Sequence, residues 1–331
     1  MKNPIAKLGV IAIAATMSLA GCSSSTTAGS AASSSGAAGK TYKIAITQIV
    51  SHPSLDASRA GFKQALADAG IKATFDEQNA QGDQATATSI AAKFAGDKPD
   101  LILAIATPTA QATAQAISDR PILFTAVTDP VAAKLVTSMD KPGANITGTT
   151  DMNPVADQIA LIKQLKPDAK SVGIVYSSGE INSEVQVKVA RAAAAAQGLT
   201  VVEKTVTSTA EVQQAANSLN TDAIYVPTDN NVVSGLAAVL QVAESKKIPV
   251  VAGESDSVKK GALITYGIDY TKLGYQTGQM AVKVLKGEAK PADMPVESQK
   301  ELKLTINLAA AARMGVTVPQ ALLSKADETI K

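Results

Sequence analysis

Two kinds of residue in this chain stand where chemistry is usually done, at the ends of apolar runs. The first is Thr107, with Pro108 after it, directly behind the run Leu101 to Ala106. That run reads as a buried parallel strand, and the Ala/Gln-rich sequence that follows reads as a helix. Pro suits the first helical position and Thr the cap before it. A helix start at the carboxyl end of a strand offers free backbone N–H groups, which in an open α/β sheet usually hold anionic ligand groups. A plain helix cap is the competing reading. The second kind is acidic: Asp129, Asp229, Glu254 and Asp269 each follow an apolar, strand-like run. A pair of such acids in one cleft can support acid–base chemistry. Singly, each reads equally as a turn or N-cap residue.

The rest of the composition argues against catalysis. The chain has one His, His52, and one Cys, Cys22. Neither can build a metal cluster or a nucleophile with its base. No cofactor and no metal are expected. His52 lies in the turn before the first expected helix, where it serves either as a wall of a cleft or as an ordinary turn residue. Asn182 and Ser183 hold the matching place in the second half, behind Glu180, with a plain N-cap as the alternative.

These residues need strands and helices to position them, and the sequence alternates the two. Strands are expected at 42–49, 73–76, 101–106 and 121–127, with helices at 55–69 and 86–95 between them. The order then returns. Strands are expected at 171–176, 200–203, 222–226 and 248–252, and helices at 183–197, 211–219 and 232–246. The punctuation repeats as well: Ala69-Gly70-Ile71 answers Gln197-Gly198-Leu199, and Asp100-Leu101-Ile102 answers Asp222-Ala223-Ile224. Two such repeats mean two similar α/β domains, each a doubly wound parallel sheet with helices on both faces. Right-handed crossovers then bring the strand ends of each domain to one edge, and two facing edges make a cleft. Further strands at 261–268 and 301–306 and helices at 273–285 and 307–314 complete the halves. The chain is therefore expected to pass between lobes near 148–153, 267–270 and 294–300, which makes a hinge.

The first forty residues are targeting sequence and tether. Lys2 and Lys7 precede an apolar run, 8–20, that is short for a membrane span. It ends at Leu19-Ala20-Gly21-Cys22, which resembles the lipobox of bacterial lipoproteins. The resemblance implies cleavage before Cys22 and a diacylglycerol on its thiol. Residues 23–39 are almost wholly Ser, Thr, Ala and Gly, the composition of a flexible leash. Removing Lys2 and Lys7 from the 31 basic residues leaves them equal in number to the 29 acidic ones. A neutral chain without basic runs lacks the footprint of a nucleic-acid binder.

Seven stretches carry a wider resemblance: Gln48 with His52-Pro53-Ser54-Leu55-Asp56, Asn79 to Asp83, Ala106-Thr107-Pro108, Phe124 to Pro130, Pro142 to Gly148, Pro227 to Asn230, and Gly267 to Tyr270. Together they resemble the lipoprotein substrate-binding components of ABC transporters, in the tryptophan/tyrosine-type group. The resemblance covers essentially the whole mature chain. It implies a class I periplasmic-binding fold with three crossovers, a permease and an ATPase as partners, and a small polar solute, an amino acid above all.

An amino acid needs hydroxyl and N–H donors for its carboxylate and an acid for its ammonium. Thr107 and its neighbouring amides are the first candidates for the carboxylate. Asp129, Asp229, Glu254 and Asp269 are the candidates for the ammonium. Gln48, His52, Pro108, Thr128, Asp151, Glu180, Asn182, Ser183, Thr228 and Asn230 complete the expected binding set. Asp151 and Asn153 lie on the first crossover, where they touch solute or fix the hinge. The expected division is 1–21 leader, 22–40 tether, 41–148 with 271–296 as lobe 1, and 149–270 with 297–331 as lobe 2. The function that follows is solute capture by a monomeric, lipid-anchored receptor on the extracytoplasmic face of the cell membrane. A sensor without a transport role and, less favoured, a hydrolase or lyase on the same frame are the alternatives.

Overall fold

In the computed structural model, which describes residues 40–331, the strands gather into two separate sheets. The readings of the leader, of Cys22 and of the tether through residue 39 lie outside the described residues.

The first half runs β1 (Tyr42–Gln48), α1 (Pro53–Asp68), β2 (Ala73–Asn79), α2 (Gln84–Asp97), β3 (Leu101–Ile105), α3 (Thr107–Ala116), β4 (Ile122–Thr125) and β5 (Ile146–Thr150). The second half opens with α4 (Val155–Leu165), β6 (Ser171–Ser177), α5 (Ile181–Ala196), β7 (Thr200–Val206), α6 (Val212–Asn217) and β8 (Ala223–Val226). It continues through α7 (Asn230–Ser234), α8 (Leu236–Lys246), β9 (Val250–Ala252), α9 (Ser255–Lys260) and β10 (Ile264–Gly267). The chain then gives α10 (Tyr270–Leu285), β11 (Glu297–Ser298), β12 (Lys303–Asn307), α11 (Leu308–Arg313), α12 (Gln320–Leu323) and β13 (Glu328–Ile330).

The strand orders expose the duplication. The first sheet is β2-β1-β3-β4-β5-β11 and the second is β7-β6-β8-β9-β10-β12-β13. Shifting the numbering by five carries β1–β5 onto β6–β10. Both sheets are parallel except at one place, where β12 runs antiparallel to β10. In each sheet the order reverses between the first and third strands of the repeat. The carboxyl ends there, after β1 and β3 and after β6 and β8, are where such sheets bind ligands.

The chain crosses between sheets three times: after β5, after β10 and after β11. β5 runs through Thr150, and β11 brings Glu297–Ser298 into the first sheet beside it. These passages therefore fall a few residues beyond the expected divisions at 148/149 and 296/297. The expected single helix over 232–246 is two helices, α7 and α8, broken at Gly235.

Each sheet has its own apolar core. One contains Ile44, Phe62, Leu103 and Phe124 and is completed by Tyr270, Leu273 and Met280 from the late helix α10. The other runs from Val155 through Tyr225 and Val251 to Met314. Two separately packed bodies joined by three short strands of chain can turn against each other without disturbing either core.

Candidate functional site

The facing edges enclose a cavity to which both lobes contribute. The first lobe supplies His52, Leu55, Ala126 and Thr128; the crossovers supply Asp151 and Tyr270. The second lobe supplies Asn182, Thr228, Asn230, Val233 and Glu254. The cavity amounts to ≈ 300 Å³ of space between atoms, and what is left free inside would hold about one water molecule. Its wall holds two carboxylates, Asp151 and Glu254, and neither Lys nor Arg.

His52 caps α1 by its extended backbone (φ −153°, ψ 162°) with no side-chain capping bond, and Pro53 follows at the first helical turn. The imidazole is therefore free to face the cavity. Burial pushes its pKa down to about 4, against the opposing pull of the Asp56 carboxylate and the Asn230 amide. A neutral ring is what remains at neutral pH, and its Nδ1 is buried without a partner. Gln48, at the end of β1, secures this loop: its Nε2 donates to the Val50 carbonyl and to Asp56 Oδ1, each at 2.8 Å.

At the ends of β3 and β4 the backbone turns sharply. Ala106 (φ 79°) and Ala126 (φ 56°) both hold a left-handed conformation that L side chains disfavour. Strain of this kind concentrates where a surrounding structure must present a surface to a ligand. Ala106, not Thr107, is the N-cap of α3; Thr107 is its first residue. With φ positive at Ala106 the chain enters the helix one residue early, so the Thr107 hydroxyl, free of capping duty, is buried with no partner.

The hinge carries the acid. Asp151 lies on the first crossover, 4% exposed. The Thr128 hydroxyl donates to its Oδ1 at 3.0 Å and the Tyr270 hydroxyl to its Oδ2 at 2.7 Å. No cation pairs with it among the described residues, and burial raises its pKa. Asn153, next on the same crossover, donates to the Asp151 carbonyl at 2.9 Å and keeps a buried Oδ1 without a partner.

In the second lobe the polar residues divide between support and display. Asp229 is fully spent: it accepts from the Ser177 N–H at 2.5 Å, Ser183 Oγ at 2.6 Å and the Val232 N–H at 2.9 Å. It fixes the loops after β6 and β8 to each other and is not free for an ammonium; Ser183 is spent with it. Glu180 accepts from Asn182 Nδ2 at 2.9 Å and Asn230 Nδ2 at 2.6 Å. Its pKa is pushed up to about 8, first by burial and then by the charge of Asp229. It thereby orients two amides that do line the cavity. Asn182 Oδ1 and Thr228 Oγ1 are buried there without partners.

Of the four acids expected to meet an ammonium, one lines the cavity. Glu254 caps α9 through the Ser257 N–H and hydroxyl, and accepts from Ser54 Oγ of the other lobe at 3.0 Å. Burial raises its pKa. Asp129 accepts from the N–H groups of Val131 and Ala132 at 3.0 and 2.9 Å and so closes its own turn. Asp269 caps α10 through the Lys272 N–H at 3.1 Å. Both are correct as strand-end acids and wrong as site residues, because the backbone donors beside them take their oxygens. Gln48, Thr107 and Pro108 stay off the cavity wall; Pro108 instead lines a polar groove on one flank, opposite Glu180. The wall residues outside the expected set are Leu55, Ala126, Val233 and Tyr270. Tyr270 had a signal, since it directly follows the acid of the Gly267 to Tyr270 motif.

No group of three or more His, Cys, Asp or Glu suited to a metal occurs among the described residues. None of their helices is long and apolar enough to cross a membrane. The arrangement is that of a small polar compartment shut between two bodies, with a buried carboxylate at the pivot.

Comparison with known proteins agrees with that geometry. The model of a family described as ABC transporter substrate binding protein matches residues 43–330. A tyrosine-binding protein of Clostridioides difficile (strain R20291) is 47% identical over 274 residues, covering 81% of this chain and 79% of its own length. Among solved structures, an ABC domain from Streptococcus pneumonia in complex with L-Trp superposes with a TM-score of 0.84 at 40% identity. It covers 88% of this chain and 100% of its own. The ligand-free, open structure of a substrate-binding protein with adhesive properties from Clostridium difficile has the same coverage and 46% identity, but a TM-score of 0.65.

Proposed function

The chain belongs to the ABC transporter substrate-binding protein family, and on that premise we propose that it captures a free amino acid in the interlobe cavity by hinge closure and delivers it to an ABC permease and its ATPase. Family membership itself implies a small-molecule ligand, transporter partners and an extracytoplasmic location. Its relatives are substrate-binding proteins rather than enzymes. Anchorage through a lipid on Cys22 and a monomeric receptor are part of the proposal.

The observation that carries the reading is Asp151. A carboxylate buried at the pivot, held by two hydroxyls and by no cation among the described residues, is electrostatically incomplete. A solute ammonium completes it. His52 Nδ1 and Asn182 Oδ1 are acceptors in the same wall, and the Thr228 hydroxyl is a donor for the solute carboxylate. Each is buried without a partner, a cost that a solute hydrogen bond removes. Because Asp151 sits on one crossover and its partner Tyr270 at the end of another, charge placed there acts where the lobes turn.

The two structural relatives support a closing motion. The open one is nearer in sequence yet superposes less well than the L-Trp complex. A rotation of one lobe against the other produces that combination, and places the described conformation nearer the ligand-bound relative. An amino acid with a large side chain is the favoured solute, since the tyrosine-binding and L-Trp-bound relatives are close.

Titration calorimetry of the wild-type chain against free amino acids tests the proposal. Asp151→Asn keeps shape and hydrogen-bonding capacity but not charge, and is expected to weaken binding roughly 10- to 100-fold, the worth of a charged hydrogen bond of about 1.5–3 kcal/mol. A wild-type chain that binds no amino acid overturns the proposal. Unchanged affinity in Asp151→Asn removes this residue from the ammonium site. Loss of amino-acid uptake on deletion of the gene is the expected sign of the importer role.

A further inference from the structure

The enclosed cavity is too small to take the zwitterionic end of an amino acid together with a large side chain, since the space left in it is water-sized. Two larger grooves run along the seam between the lobes, one on each flank. The first, ≈ 870 Å³, is bordered by Asp83, Gln84, Gln111, Glu180 and Asn231 and shares no lining residue with the cavity. The second, ≈ 680 Å³, lies between the Ser51–Ser54 turn and helices α7 to α9. It shares His52, Val233 and Glu254 with the cavity, so the two spaces meet across a wall one side chain thick. Its floor is aliphatic: Val233, Leu236, Ala237 and Leu240.

We infer that this second groove is the side-chain compartment of the solute site, and that Ala237 sets the size of side chain it admits. The inference rests on the amino-acid reading above. The polar cavity holds the charged end, where transfer from water requires partners. The side chain leaves past His52 and Val233 and lies on the aliphatic floor, where burial of a large apolar group contributes about 1.5–3 kcal/mol. The opposite flank cannot serve, because it is polar and discontinuous with the cavity. Leu236 and Leu240 are packed into the lobe core as well as the groove, so they cannot be changed without cost to the fold. Ala237 is exposed on the same helix face, and nothing in the core depends on it.

Ala237→Trp fills the groove from its floor. The test compares wild type and Ala237→Trp by calorimetry with L-phenylalanine, L-leucine and L-alanine, with thermal melting as the check on folding. The expected result is a wild type that prefers the large side chains over alanine, and a variant that loses at least tenfold for phenylalanine while its affinity for alanine stays within about twofold. A variant that retains the wild-type preference overturns the inference. So does a variant weakened equally for all three, which would mean that filling the groove obstructs closure rather than a side chain. A wild type that binds none of the three strikes the amino-acid reading itself, a result distinguishable from both. Ala237→Ser, which leaves the groove open, is expected to behave as wild type.

Discussion

Ser54 Oγ lies 3.0 Å from Glu254 Oε2, a buried hydrogen bond that joins the first turn of α1 in one lobe to the cap of α9 in the other. It sits beyond the hinge, where the lobes meet only when the cleft is shut. Ser54→Ala leaves Glu254 its bonds to Ser257, so the second lobe keeps its structure. The closed state alone loses about 1 kcal/mol. Solute affinity is expected to fall roughly fivefold with little change in melting temperature. Calorimetry beside a thermal melt checks this; a fall in melting temperature with unchanged affinity would assign Ser54 to folding instead.

Two buried groups set opposite pH slopes. His52 is held neutral, its pKa lowered to about 4 from 6.5 by burial. Its contribution to stability is complete above pH 6.5 and is lost as the pH falls from 6.5 toward about 4. Glu180 is also held neutral, its pKa raised from 4.5 to about 8 by burial and by Asp229. Its contribution is complete below pH 4.5 and is lost as the pH rises from 4.5 through about 8. Asp151 and Glu254, likewise raised by burial, slope in the same sense as Glu180. From pH 6.5 to 8.5 the His52 slope has ended, and melting temperature is expected to decline. Glu180→Gln is expected to flatten that decline, read by calorimetric melts across the interval. An unchanged slope would show that Glu180 does not take up the proton.

Helices α1 and α10 touch backbone to backbone. A Cβ at Gly274 would lie 1.8 Å from the Ser58 carbonyl oxygen, and one at Gly61 would lie 2.0 Å from that of Thr271. No rotamer change relieves a clash with a main-chain atom. Gly274→Ala is therefore expected to cost about 3 kcal/mol, the upper end for overpacking, in urea unfolding. Ser58 Oγ also donates to the Tyr270 carbonyl at 3.2 Å, so forcing the helices apart moves the residue that holds Asp151. Solute affinity should fall with stability. An alanine variant of wild-type stability would mean that the contact is looser than the backbone positions indicate.

Most of the frame was legible because buried parallel strands are apolar runs, and the runs 101–106 and 222–226 are unmistakable. β5 is not, since its sequence Ile-Thr-Gly-Thr-Thr buries hydroxyls: Thr147 donates to the Met294 carbonyl and Thr149 pairs with Thr277, partners more than a hundred residues away. Helix α4 has helical spacing at Val155, Ile159 and Ile162 but is masked by its place straight after a crossover. The site was legible in its loops and illegible in its acids. Asp129, Asp229, Glu254 and Asp269 share one signature, an acid after a strand, and that signature is also the N-cap signature. Which of them keeps an oxygen for the cavity depends on the donors that the next turn brings. The left-handed Ala106 and Ala126 have no signal at all, since the residue expected at such a backbone is glycine.

The order in which the chain is made gives the three crossovers a further consequence. The amino-terminal lobe takes α10 against α1 and β11 against β5, so it is unfinished until residue 298 of 331 has been synthesised. Until then the free edge of β5 and the glycine face of α1 stand uncovered, while the carboxyl-terminal lobe can already assemble from β6 to β10. A premature stop anywhere before Tyr270 would not yield one good lobe and one missing lobe. It would leave the first lobe open along a strand edge, the kind of surface that nascent chains aggregate through and that quality control must recognise.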